Sequence, residues 1–164
     1  MREITMGESA QLTSPHLFGA LLTKDSAGKV NVMGISWFTY VSLRDGKMLF
    51  CTSNKGYTGK VIRETEKATF CVITKELSDK LLQCCKCSGA VCDKVSELGI
   101  ELVCEEGFDV PLLRGAGVSF AMTLDQAVDA GDHGVYIMNV SKVVCDKEGP
   151  YVYAYDGYKR LDYV

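Results

Sequence analysis

A chain of 164 residues with 47% apolar and 24% charged residues has the size and composition of one ordinary globular domain, which excludes a disordered or fibrous protein. A formal net charge of -3, with cations set beside acids as in Arg63-Glu64 and Asp93-Lys94, excludes the basic footprint of a nucleic-acid binder. The longest apolar runs, such as Val30 to Met33 and Val135 to Val140, fall far short of the roughly 20 residues that span a bilayer, so no membrane partner is expected.

Met1 to Thr13 mixes Arg2, Glu3, Glu8 and Gln11 into its apolar residues and lacks the continuous apolar core of a secretory signal, so the expected compartment is the cytoplasm. Runs rich in β-branched and aromatic residues then predict strands at Leu17 to Thr23, Val30 to Ser36, Lys47 to Thr52, Ala68 to Thr74, Val118 to Ala130, Val135 to Cys145 and Tyr151 to Tyr155. Asp45-Gly46 supplies a hairpin turn between the second and third runs, and Gly131-Asp132-His133-Gly134 separates an antiparallel pair. Thr58 to Lys67 and Leu77 to Leu98 carry apolar residues at helical intervals. Many strands, short connections and two helical insertions predict a mainly β, closed antiparallel barrel in one domain over residues 1–164, with a sandwich as the alternative.

Within Val30 to Thr39, Gly34 allows close approach to the backbone, Asn31 and Ser36 offer hydrogen bonds, and Trp37 offers a flat aromatic face; a buried Trp between solvent-facing polar residues fits the same pattern. Ser53-Asn54-Lys55-Gly56-Tyr57-Thr58-Gly59-Lys60 follows a strand and opens a helix, as an anion site requires, although its glycine spacing is not that of a P-loop. A polar loop capped by Ser53 or Thr58 is the other reading. His133 sits in a turn, either idle or able to donate to a ligand near neutral pH, while His16 suggests no role.

The 8 cysteines are expected to be free thiols in a reducing cytosol. The cluster Cys84, Cys85, Cys87 and Cys92 contains one C-x-x-C, which leaves a metal site or a redox pair as alternatives. No G-x-S-x-G, H-E-x-x-H or G-x-G-x-x-G motif occurs.

Taken in order, Ser14-Pro15, Asn31 to Thr39, Ser53 to Thr58, Ser88-Gly89, Asp93-Lys94, Gly131-Asp132-His133 and Tyr155-Asp156-Gly157-Tyr158 resemble the flavin reductase-like, FMN-binding split-barrel family, most closely its flavoredoxin-type members. The resemblance implies a split barrel with Greek-key connections and two to three helices. It also implies a noncovalent FMN, its phosphate near Ser53, Lys55 and Thr58 and its ring near Asn31, Met33, Ser36 and Trp37, with Lys94, His133 and the closing aromatic Tyr158 also in reach. Electrons would come from NAD(P)H or an electron-transfer protein, with the flavin rather than a side chain carrying them, and the site would lie near a homodimer interface. Three cysteines in the five residues before Ser88-Gly89 depart from the family's usual single one, and no rubredoxin-like C-terminal extension is seen.

Overall fold

The computed structural model describes residues 1–156 and 158–163, so Gly157 of the Tyr155-Asp156-Gly157-Tyr158 motif lies outside the described residues. The chain opens with α1 (Met6–Leu12), then β1 (His16–Leu17), β2 (Gly19–Lys24), β3 (Val30–Ile35), β4 (Phe38–Ser42) and β5 (Lys47–Ser53). Next come α2 (Tyr57–Thr65), β6 (Lys67–Val72), a 3-10 turn at Lys75–Leu77, α3 (Ser78–Cys84) and α4 (Lys94–Glu97). The remainder is strand: β7 (Leu102–Val103), β8 (Leu112–Leu113), β9 (Val118–Ala130), β10 (His133–Cys145), β11 (Val152–Tyr155) and β12 (Arg160–Tyr163). Among the described residues no helix is long and apolar enough to cross a membrane.

The main sheet is antiparallel, in the order β3-β2-β6-β9-β10-β5-β4, and smaller sheets join β1-β11-β12 and β7-β8. Its hydrogen-bond ladder leaves β3 and β4 as ends, so the closed barrel expected from the sequence is not completed by strand pairing among the described residues. The sheet is nevertheless strongly curled. Phe38 of β4 meets Phe70 of β6 at a ring-centroid distance of 4.4 Å, although three strands, β9, β10 and β5, separate β4 from β6 in the ladder order. Phe50 and Phe120 complete an aromatic centre around Phe70, at 5.1 and 5.8 Å. On β5 the alternation of Met48, Phe50 and Thr52 inward with their neighbours outward follows the two-residue period of a half-buried strand. β2 is buried on both faces, because Leu21 joins the inner cluster while Ala20 and Leu22 pack outward with Phe18, Val32 and Leu81.

Two sequence expectations are corrected, and one element was not foreseen. The Asp45-Gly46 turn, with Gly46 at φ +59°, joins β5 to β4 rather than to the Val30 to Ser36 strand, because Ser36-Trp37 breaks one apolar run into two strands. The helix expected over Leu77 to Leu98 is two helices, interrupted at Cys85 to Asp93, where Lys86, Ser88 and Gly89 provide no continuous apolar face. α1 was not expected; Thr5 and Glu8 form a capping box in which the Glu8 N–H donates to Thr5 Oγ1 at 3.1 Å and the Thr5 N–H donates to the Glu8 carboxylate at 2.9 Å.

Candidate functional site

A cavity of about 510 Å³ opens where β3, the β5–α2 connection, the α3–α4 connection and the C-terminal segment meet. That volume lies within the roughly 300–1,000 Å³ of small-molecule and cofactor pockets. A second cleft of about 210 Å³ adjoins it under α1, and Tyr158 lines both.

One end of the cavity is built to receive an anion. α2 starts at Gly56, whose extended backbone carries no side chain to cap the helix, so no side-chain acceptor takes up the first-turn N–H groups. Those groups and the positive end of the helix dipole favour a negative ligand, and Ser53, Lys55 and Thr58 line the same wall. Ser53 Oγ accepts from the Lys55 N–H at 3.3 Å, and its carbonyl accepts from the Gly56 N–H at 2.8 Å, which fixes the loop. The Tyr57 hydroxyl donates to Asp25 at 2.8 Å, and this bond holds the Asp25 carboxyl below its usual range. Asn31 Nδ2 donates to Thr58 Oγ1 at 2.9 Å, tying β3 to α2.

The other end is lined by Met33, Gly34, Cys85, Lys94 and Tyr158. Lys94 is 6% exposed; its ammonium donates to the Val32 carbonyl at 3.0 Å and pairs with no carboxylate among the described residues. Burial pushes its pKa down, as desolvation of a cation requires. Much of Cys85 is exposed, yet its sulfur is tucked against Gly34, where an added Cβ would come within 2.7 Å of it. That desolvation raises the Cys85 thiol pKa, opposed by the charge of Lys94. The Ser36 N–H donates to the Tyr158 hydroxyl at 3.1 Å, and the Tyr158 ring packs on Phe18 with centroids 5.5 Å apart.

Six of the ten residues singled out from the sequence line the cavity: Met33, Ser53, Lys55, Thr58, Lys94 and Tyr158. Asn31 lies beneath its floor, 3% exposed, with Oδ1 buried and unpartnered. Ser36 and Trp37 line the adjoining cleft instead, and Ser36 Oγ is likewise buried without a partner. His133 pairs with Ser53 in the β10–β5 ladder, places Nδ1 2.9 Å from the Asp132 carboxylate and packs on Trp37 with ring centroids 4.9 Å apart. Cys85, read from the sequence only as part of the cysteine cluster, lines the cavity, and sequence reasoning gave no role to Tyr57 or to Lys29, whose Nζ donates to the Gly89 carbonyl at 2.6 Å and anchors the cavity wall. The Asp25-Ser26-Ala27-Gly28 turn before Lys29 was the available signal, since Asp25 accepts from both the Ala27 and Lys29 N–H groups.

The free-thiol expectation is corrected at two positions. Cys87 and Cys92 form a disulfide, because the Val91 and Cys92 N–H groups both fold back to the Ser88 carbonyl at 3.1 Å and bring the two Cα atoms to 6.4 Å. The pairing is therefore not the C-x-x-C of Cys84 and Cys87. Among the described residues, no three or more His, Cys, Asp or Glu side chains gather in a metal-holding group.

A family model described as the flavin reductase like domain matches residues 17–162. An uncharacterized protein of Aeropyrum pernix is 25% identical over 138 residues, 84% of this chain, and the chain spans about half of that relative, 52% of its length. Among solved structures, the flavoredoxin of Desulfovibrio vulgaris (Miyazaki F) superposes with a TM-score of 0.85 at 16% identity, covering 99% of this chain and 93% of that one. The FMN-binding protein of Thermus thermophilus gives 0.86 at 17% identity, covering 99% and 93%. These similarities are similarities of fold.

Proposed function

The chain belongs to the flavin reductase-like domain family, and from that premise we propose that it binds FMN in the larger cavity and passes electrons through it. One observation carries the reading. A buried ammonium without an acidic partner among the described residues, Lys94, and a helix start without a side-chain cap, Gly56, face the same cavity, and both favour an anionic occupant.

The residues present fit the cofactor. Ser53, Lys55, Thr58 and the N–H groups opening α2 suit its phosphate, and the orphaned Asn31 Oδ1 offers an acceptor beneath. Met33, Lys94 and Tyr158 suit the ring end, with Ser36, Trp37 and His133 bordering it from the adjoining cleft. Bound flavin supplies reversible hydride or single-electron transfer. Lys94 holds a positive charge where reduction would add a negative one, Tyr158 excludes water from one side, and the α2 end anchors the anionic tail.

The reading extends to electron supply by NAD(P)H, or by an electron-transfer protein if the chain is a carrier without its own nicotinamide activity. It also extends to a homodimer acting in the cytoplasm, and to a closed split barrel with Greek-key connections in which side chains such as Phe38 and Phe70 bridge what the ladder leaves open. The test is an absorption spectrum of the purified, FMN-equilibrated protein followed by NADH and NADPH oxidation. Retained flavin with turnover supports a reductase, retained flavin with negligible turnover assigns a carrier, and failure to retain or quench FMN overturns the proposal.

A further inference from the structure

The Cys87–Cys92 disulfide has little structural work to do. It closes a loop with a sequence separation of only 5, and short loops are those in which a cross-link constrains the unfolded chain least. The turn it spans is already held by the bonds of Val91 and Cys92 to the Ser88 carbonyl, by Lys29 on the Gly89 carbonyl, and by Asp93, whose side chain accepts from the Ser96 N–H at 3.2 Å. None of those contacts is made by either sulfur atom. Both sulfur-bearing residues are half-buried rather than sealed in a core, and Cys87 stands on the wall of the cavity with Cys85, Lys86, Ser88 and Gly89. Lys94 lines the same cavity.

We infer that Cys87 and Cys92 are a redox couple that exchanges two electrons with flavin bound in the adjoining cavity. The inference rests on the FMN reading above. In the exchange, the Cys87–Cys92 bond takes two electrons and two protons from reduced flavin, the S–S bond breaks, and each sulfur ends as a thiol while the flavin returns to its oxidised form. The reverse step re-forms the bond and reduces the flavin. The chain thereby stores a second electron pair beside the first. Of the two, Cys87 lines the cavity and Cys92 does not.

Two measurements test this. First, the flavin-free full chain is equilibrated in mixtures of reduced and oxidised dithiothreitol, alkylated and digested; mass spectrometry should show Cys87 and Cys92 changing together in one two-electron transition. Thiols that stay free throughout, or a bond that opens only when the chain unfolds, overturn the couple. Second, the FMN-loaded protein is titrated anaerobically with dithionite while flavin absorbance and trapped thiols are followed. Wild type should take up about four electrons per chain and the Cys87→Ser/Cys92→Ser variant about two. Uptake of two electrons by flavin-retaining wild type overturns the exchange alone. Failure to retain FMN overturns the exchange together with the flavin reading, and the first measurement then still judges the sulfur couple.

Discussion

The Asn31 amide and the Thr58 hydroxyl meet at 2.9 Å between β3 and α2, and the same Asn31 turns an unpartnered Oδ1 toward Gly89. One side chain therefore sets the spacing of three walls of the cavity. Thr58→Val should leave a buried donor unmatched and destabilise the chain by about 1–3 kcal/mol, whereas Thr58→Ser should stay near wild type. Urea denaturation of the two variants checks this, and equal midpoints for Val and Ser would remove the hydrogen bond from the account.

Gly89 has no room for a side chain, because an added Cβ would fall inside the Asn31 amide and lie 3.0 Å from the Tyr57 ring. Gly89→Ala should push the cysteine loop away from β3, costing about 1–3 kcal/mol as overpacked sites do, and should weaken FMN retention in parallel. Thermal melts with and without FMN read both effects.

Lys94 carries a pH signature. Burial lowers its pKa below the model-compound value of 10.5, so between the folded value and 10.5 the unfolded chain holds more protons at this group than the folded chain. Its contribution to stability therefore rises with pH through that window and is lost as pH falls through the folded pKa. Lys94→Met removes the dependence: the stability of the variant relative to wild type should be greatest at neutral pH and shrink toward 10.5. The same variant should bind FMN less tightly and lower the flavin midpoint potential. Denaturation midpoints across pH and a spectroelectrochemical titration check the two halves, and a pH-independent difference would contradict the first.

The thiols should separate by environment. Desolvation pushes Cys71 and Cys84 up to about 11, so at about pH 8 both stay protonated and unreactive, while Cys104 and Cys145 are exposed. Iodoacetamide on the native protein should modify the exposed pair and spare the buried pair until denaturant is added. Equal labelling of Cys84 and Cys104 would show the α3 packing to be wrong.

The strands were legible because this chain concentrates β-branched and aromatic residues in runs bounded by Asp45-Gly46 and Gly131-Asp132. α1 was legible in principle from Thr5-Met6-Gly7-Glu8, the spacing of its capping box. β4 was hidden because it follows the Val30 to Ser36 run after a single residue, Trp37, and its own Thr39, Tyr40 and Val41 are all exposed, so it shows no alternation of apolar and polar positions. In the site, the Ser53 to Thr58 loop is local in sequence and could be read directly. The bond from Ser36 to Tyr158 joins residues 122 apart, and no pattern at either end announces it. Lys94 was reached only through the family resemblance, since by composition it is a lysine beside an acid; the packing of α4 on β3 is what buries it. The Cys87–Cys92 pairing depends on a turn around Ser88 whose geometry composition does not encode.

Tyr158 holds a positive φ of 70°, a conformation that bulky residues seldom adopt, and it keeps its ring between Phe18 and the Ser36 backbone. Among the described residues that line the two clefts, Tyr158 alone lines both. A substitution at Tyr158 therefore changes the walls of both chambers at once, whereas the other lining residues belong to one chamber each.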